Sequence, residues 1–277
     1  MVLLYKKKLL PKHIAADEKH SRILGDKCYV ATTTADGCIL GASVAKSAGE
    51  QALTKAYGIF KEEANIIDPD YTPETVNTDG WSATQKTWVN LFPTIVLICC
   101  FLHVFIKIRD RSKKKHKEIY DKTADKLWDC YNALSKRSFS YRVRALVKWG
   151  MRKEIPTVIL KPLQKLKKKI KLYSVAYDHP GSHRTSNMID RLMQRMDRHL
   201  YSNQYFHGEF ASAELGIRGW VLINNFAPWN PQTVKKHGGI SCPAEKLNGF
   251  RYHDNWLQNL LICASLGGYR CFPQEPL

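Results

Sequence analysis

Between Thr87 and Ile106 the chain runs for twenty residues without an Asp, Glu, Lys or Arg. Such a run either crosses a membrane or belongs at the centre of a folded core, because about twenty apolar residues span a bilayer. Asn90, Pro93, Thr94 and His103 interrupt it. Pro93 also separates an amphipathic stretch (Trp88, Val89, Leu91, Phe92) from a β-branched run (Ile95, Val96, Ile98). Proline lacks an amide donor and biases the residue before it away from the helical region. The pattern therefore predicts a helix ending near Phe92, then a fully buried parallel strand, and no membrane span.

Upstream, strand and helix signals alternate. His13–Asp17 and Lys27–Thr34 read as strands, and Ala35-Asp36-Gly37 supplies a turn before a third strand, Cys38–Val44. Ser47–Ile67 reads as a helix through Ala52, Ala56, Ile59, Phe60 and Ala64. A two-proline loop (Asp68–Pro73), a short strand (Thr75–Asp79) and a helix from Ser82 follow. Three antiparallel-type strands, then helix, strand, helix, strand, is the pattern of a mixed α/β sheet.

Downstream the chemistry changes. Residues 107–172 hold 22 Lys+Arg and 6 Asp+Glu, so this window carries +16 of a net +18. Ile119, Ala124, Leu127, Trp128, Tyr131 and Leu134 recur at helical spacing, as do Val143, Leu146, Val147 and Met151, and Pro156 and Pro162 read as breaks. A basic helical insertion over 107–178 is expected, between a first core segment (1–106) and a second (179–227), with a tail at 228–277. Hydrophobic residues make up 44% of the chain, which excludes disorder and leaves a folded body with a basic surface suited to a polyanion. Ser186 can cap a helix with Ile189, Leu192, Met193, Met196 and Leu200 on one face. A further helix over Ala211–Phe226 carries Leu215, Trp220, Leu222 and Ile223.

The eight cysteines form no Cys-x-x-Cys pair, so a zinc ribbon is not expected; buried free thiols in a reducing, cytoplasmic setting are. The first residues place apolar side chains before charged ones, the reverse of a secretory signal. Asp17 and Asp79 fall at or near the ends of predicted strands, where α/β sheets place their sites. Asp190 falls in the first turn of the helix after Ser186. Three carboxylates brought together would hold Mg²⁺, which takes hard oxygen ligands and leaves positions for water and phosphate. Each also has a plainer role: Asp before Gly is a common turn residue, and Asp near a helix start answers the helix dipole.

The run Thr78-Asp79-Gly80-Trp81, then Leu91-Phe92-Pro93, Cys100-Phe-Leu-His103 and Thr185-Ser186-Asn187-Met188-Ile189-Asp190 resembles the catalytic domain of insertion-sequence DDE transposases, especially the Mutator-like group. The resemblance covers roughly residues 10–226 and is most specific from Asp79 onward. It implies a ribonuclease-H-like fold, two Mg²⁺ (or Mn²⁺) ions on Asp17, Asp79 and Asp190, and DNA transposition by strand cleavage and 3′-end transfer. Double-stranded DNA, at the element's ends and at the target, is the implied partner, with a homo-oligomer assembling on it. Lys113, Lys114, Lys115, Lys167, Lys168, Lys169 and Arg184 are the expected DNA contacts. His183 and Asn187 either help there or are ordinary polar residues at a helix start.

The family usually has Glu where this chain has Asp190, which leaves Glu214 and Glu209 as alternative third acids. It commonly carries a DNA-binding domain ahead of the first acid. Sixteen residues precede Asp17 here, so a truncated core or a separately encoded module is expected. A ribonuclease-H-like nuclease and an inactive, transposon-derived DNA-binding protein are the competing readings. Cys100-x-x-His103 supplies two ligands, which do not make a zinc site.

Overall fold

The structure, a computed structural model, describes residues 10–112 and 114–265, apart from the side chain of Lys114. Three strands, β1 (His13–Ile23), β2 (Asp26–Ala35) and β3 (Cys38–Ala45), lead into α1 (Glu50–Ile67), β4 (Thr75–Thr78), α2 (Ser82–Leu91) and β5 (Val96–Cys99). Helices α3 (Leu102–Ser112), α4 (Lys117–Tyr131), α5 (Lys136–Arg152), α6 (Thr157–Lys168) and α7 (Ile170–Ser174) follow. Then come α8 (Asn187–Ser202), α9 (Phe210–Phe226), α10 (Pro231–Lys236), α11 (Pro243–Asn248) and α12 (Trp256–Ser265). The chain is thus α/β with both strand directions, antiparallel among β1–β3 and parallel between β4 and β5. It divides into two compact units: residues up to Glu74 with Ser82–Ile95 and Met188 onward, and Thr75–Trp81 with Val96–Asn187.

In the first unit, β1, β2 and β3 form a meander. Each hairpin turns on two consecutive positive φ values, Leu24 (47°) with Gly25 (89°) and Asp36 (51°) with Gly37 (84°). Paired positive φ matches the right-handed twist of the flanking strands. The second turn is the one expected; the first hides behind a leucine. In consequence β1 does not stop at Asp17 but continues to Ile23, because Glu18 to Ile23 pair residue by residue with Ala31 to Asp26 of β2. Asp17 therefore lies in mid-strand, a correction to its expected place at a strand end.

Strand alternation sorts the two faces of β1. Ala15 joins an apolar cluster with Cys28 and Val30 of β2, Ile189, Met193 and Met196 of α8, and Ala213 and Ile217 of α9. On the opposite face α1 and α2 pack together around Tyr57, Phe60, Trp88 and Phe92, the last two stacked with ring centroids 5.8 Å apart. Helix α8 buries the five positions its spacing predicts. In α9 the buried face is instead Ala213, Ile217 and Val221, while Leu215 and Ile223 are exposed. The reason is polar: the Asn225 side chain pairs with both backbone groups of Ile39, and Glu214 accepts from the Val44 amide, so α9 turns its hydrogen-bonding face to β3. The stretch after Pro228, where the sequence shows weak periodicity, contains α10–α12.

In the second unit, β4 and β5 pair in register from Thr75↔Val96 to Thr78↔Cys99, and every residue of β4 is buried. The charge-free run is thus shared by α2, β5 and α3. Among the described residues no helix is long and apolar enough to cross a membrane. Helices α3 to α6 pack in a closed ring, α3 against α4 and α6, and α5 against α4 and α6. Phe101, Ile108, Leu127, Phe139, Val143, Leu146 and Leu163 fill its core. Trp128, Leu134 and Met151, expected on the apolar stripes, are exposed.

Pro156 separates α5 from α6 as expected, but Pro162 lies inside α6 without ending it. An interior proline costs a helix roughly 3 kcal/mol. Burial of Ile159, Leu163 and Leu166 against α3 and α5 outweighs it.

Candidate nucleic-acid interface

Asp79 follows the last residue of β4, and its Oδ1 accepts the Trp81 amide at 2.6 Å. Between them Gly80 takes φ +87°, and a Cβ there would stand 3.5 Å from the Cys99 sulfur. This tight turn leaves Asp79 half-buried at the wall of a cavity of about 390 Å³. Helix α3 contributes His103, Lys107 and Arg111 to the lining. Lys161 and Lys165 come from α6, with Lys169 just past its end. Each set is spaced by four residues, so each forms one row along its helix with a rise of about 6 Å per step. Five cations face one carboxylate. Tyr173 of α7 also lines the cavity, and burial, reinforced by Cys99, Cys100 and Asp79, pushes its phenol well above the usual range. It remains a protonated donor at neutral pH. Cations and a phenol donor placed in this way are suited to phosphate oxygens.

The loop that leads into α8 is tied to the ends of these two strands. The Asn77 amide donates to the His183 carbonyl (2.8 Å), the Phe101 amide to the Arg184 carbonyl (3.0 Å), and the Ser186 amide to the Cys100 sulfur (3.1 Å). Cys100 returns a bond to the Ser186 hydroxyl at 3.1 Å, and burial raises its thiol pKa. Cys100 thus fastens Ser186, and with it the residues just before α8. Cys28, Cys38, Cys99, Cys100, Cys130, Cys242 and Cys263 are all buried thiols outside any disulfide, as expected; Cys271 lies outside the described residues.

The expected acids divide between the units. Asp17 and Asp190 are in the first and Asp79 is in the second. Asp17 shares its face of β1 with Ala15, and Asp190 is one residue past Ile189, which packs in the same cluster as Ala15, so both half-buried carboxylates belong to one side of the antiparallel strands. Among the described residues no group of three His, Cys, Asp or Glu stands together as a metal site. Of the alternatives, Glu214 is engaged by the Val44 amide at 2.6 Å, and Glu209 is exposed ahead of α9. Glu18, on the opposite face from Asp17, accepts from the Tyr57 and Thr84 hydroxyls, both at 2.8 Å.

Of the expected DNA contacts, Lys169 lines the cavity, whereas Lys115, Lys167 and Lys168 are exposed elsewhere on the second unit. Lys113 and the side chain of Lys114 lie outside the described residues. Arg184 is held between the rings of Tyr131 and Tyr177, 4.6 and 4.5 Å from their centroids, and donates to the Tyr131 carbonyl and the Tyr177 hydroxyl. That is the work of a structural clamp. The cavity's other cations, Lys107, Arg111, Lys161 and Lys165, were not singled out from the sequence. Runs of adjacent lysines draw the eye, but adjacent residues on a helix point apart; the signal is the four-residue period.

No protein-family model matches the chain, and no curated protein matches it.

Proposed function

We propose that the chain is a DNA-processing enzyme of the insertion-element transposase type, built on a ribonuclease-H-like core and acting on duplex DNA as a homo-oligomer. The succession β-β-β-α-β-α-β, antiparallel and then parallel, supports the fold reading. The observation that carries the function is Asp79 set among five cations. A carboxylate weakens a cavity built only to hold phosphate, since like charges repel across a few ångströms. It belongs there if a divalent cation stands between carboxylate and phosphate.

The donor chemistry fits Mg²⁺. Asp17, Asp79 and Asp190 are half-buried carboxylates with hard oxygens, and the Trp81 amide engages one oxygen of Asp79. The resemblance assigns the ions to these three, and such ions when bound lower the pKa of water and stabilise the leaving oxygen of a phosphodiester. The chain's own residues do the rest. Lys107, Arg111, Lys161, Lys165 and Lys169 bind the backbone and neutralise its charge, the Tyr173 hydroxyl donates to a phosphate oxygen, and the turn at Gly80 fixes the Asp79 carboxylate.

Cleavage and joining of a labelled duplex bearing the element's own flanking ends, with Mg²⁺ or Mn²⁺, tests this reading. Wild type is expected to give both products, and Asp79→Ala and Asp190→Ala neither. Cleavage without joining would make the protein a nuclease, and binding without cleavage a DNA-binding remnant. Activity retained in Asp190→Ala would move the third acid to Glu214.

A further inference from the structure

The second unit has another opening, a cleft of about 520 Å³ between α4 and α5. Because α3 to α6 pack in a closed ring, this cleft and the cavity between α3 and α6 open on opposite flanks of the bundle. Cys130 and Leu146, both buried, form its floor, and Trp149 and Tyr141 form its walls. Tyr141 leaves 70% of its surface in water. Lys126 Nζ stands 5.1 Å above the centroid of Trp149, and Arg142 reaches across from α5 to donate to the Asp129 carbonyl of α4. Helix α5 carries six cations and no carboxylate: Lys136, Arg137, Arg142, Arg144, Lys148 and Arg152.

We infer that this cleft binds a single-stranded segment of DNA, with unpaired bases stacked on Tyr141 and lying against Trp149. Aromatic faces do nothing for a closed duplex, whose bases already stack on each other, but they are the usual platform for bases that are unpaired. Lys126 and Arg142 flank the rings and meet the backbone. The exposed Asp129 at the rim turns phosphate away and accepts from a base amino group, so bases rather than phosphates face that side. An acidic peptide would use the cations but leave the rings idle. The inference rests on the proposed DNA chemistry, in which cutting one strand and moving its end leaves unpaired nucleotides that need a place to go.

Fluorescence anisotropy, without divalent cation, of a labelled oligothymidylate and of a blunt duplex of equal length tests it. Tyr141→Ala is expected to weaken single-strand binding by about tenfold, the scale of losing one stacking platform, with duplex affinity unchanged. Tyr141→Phe restores binding because it keeps the ring. Trp149→Phe gives a smaller loss. Unchanged single-strand affinity in Tyr141→Ala, or a parallel fall in duplex affinity, overturns the assignment. Its failure is separable from that of the enzymatic reading. Tyr141-dependent strand binding by a protein that never cuts would leave the cleft standing and remove the catalysis; cutting with no such dependence would do the reverse.

Discussion

Gly80 sets the direction of Asp79. At φ +87° any side chain pays the left-handed penalty of about 1–2 kcal/mol, and a Cβ would also touch the Cys99 sulfur. Gly80→Ala is therefore expected to lower the unfolding free energy by about that amount and to reduce cleavage by displacing the carboxylate. Urea titration together with the duplex assay checks both effects. The turn at Asp79-Gly80 was readable in the sequence because Asp before Gly at the end of a strand is a common turn pair. Glu18 was not. Its neighbours in sequence say only that it alternates with Asp17, whereas its two hydroxyl donors come from Tyr57 and Thr84, 39 and 66 residues away. The partners of Arg184 were hidden for a related reason, since Tyr131, which closes on one side of it opposite Tyr177, lies 53 residues away.

Helices α3 and α6 show how a charged element is read. Along α6 the lysines fall into two groups: Lys161, Lys165 and Lys169 line the cavity, and Lys167 and Lys168 do not. Replacing the first three with alanine is expected to weaken duplex binding and to flatten the log–log salt dependence by roughly 0.9 for each phosphate no longer neutralised. Replacing Lys167 and Lys168 is expected to change either quantity much less. Equal effects from both sets would show that only total charge matters. Most elements were legible beforehand where period and flanking residues agreed, as in α2, β5 and α8. The misjudged ones share a cause, which is that a distant partner decides the outcome. The β2 ladder prolongs β1 through a polar run, hydrogen bonds to β3 rotate α9, and packing on α3 and α5 carries α6 through Pro162.

At the scale of the whole molecule, a net charge of +18, sixteen of it within residues 107–172, makes the folded second unit repel itself. Screening at physiological ionic strength acts over about 8 Å, close to the spacing of neighbouring cations on a helix. The melting temperature is therefore expected to rise as salt is added from low to physiological ionic strength, while DNA affinity falls. Thermal unfolding and anisotropy over one salt series would show the two opposed slopes, and a melting temperature that falls with salt would mean that favourable ion pairs outweigh repulsion. The buried thiols have one more consequence. Cys28 is sealed in the core of the first unit and Cys100 against Ser186 in the second, and burial raises the pKa of both. Neither can meet an alkylating reagent while its unit is closed, so the pace at which each is modified is a stopwatch, one in each unit, counting how often that half of the molecule comes undone.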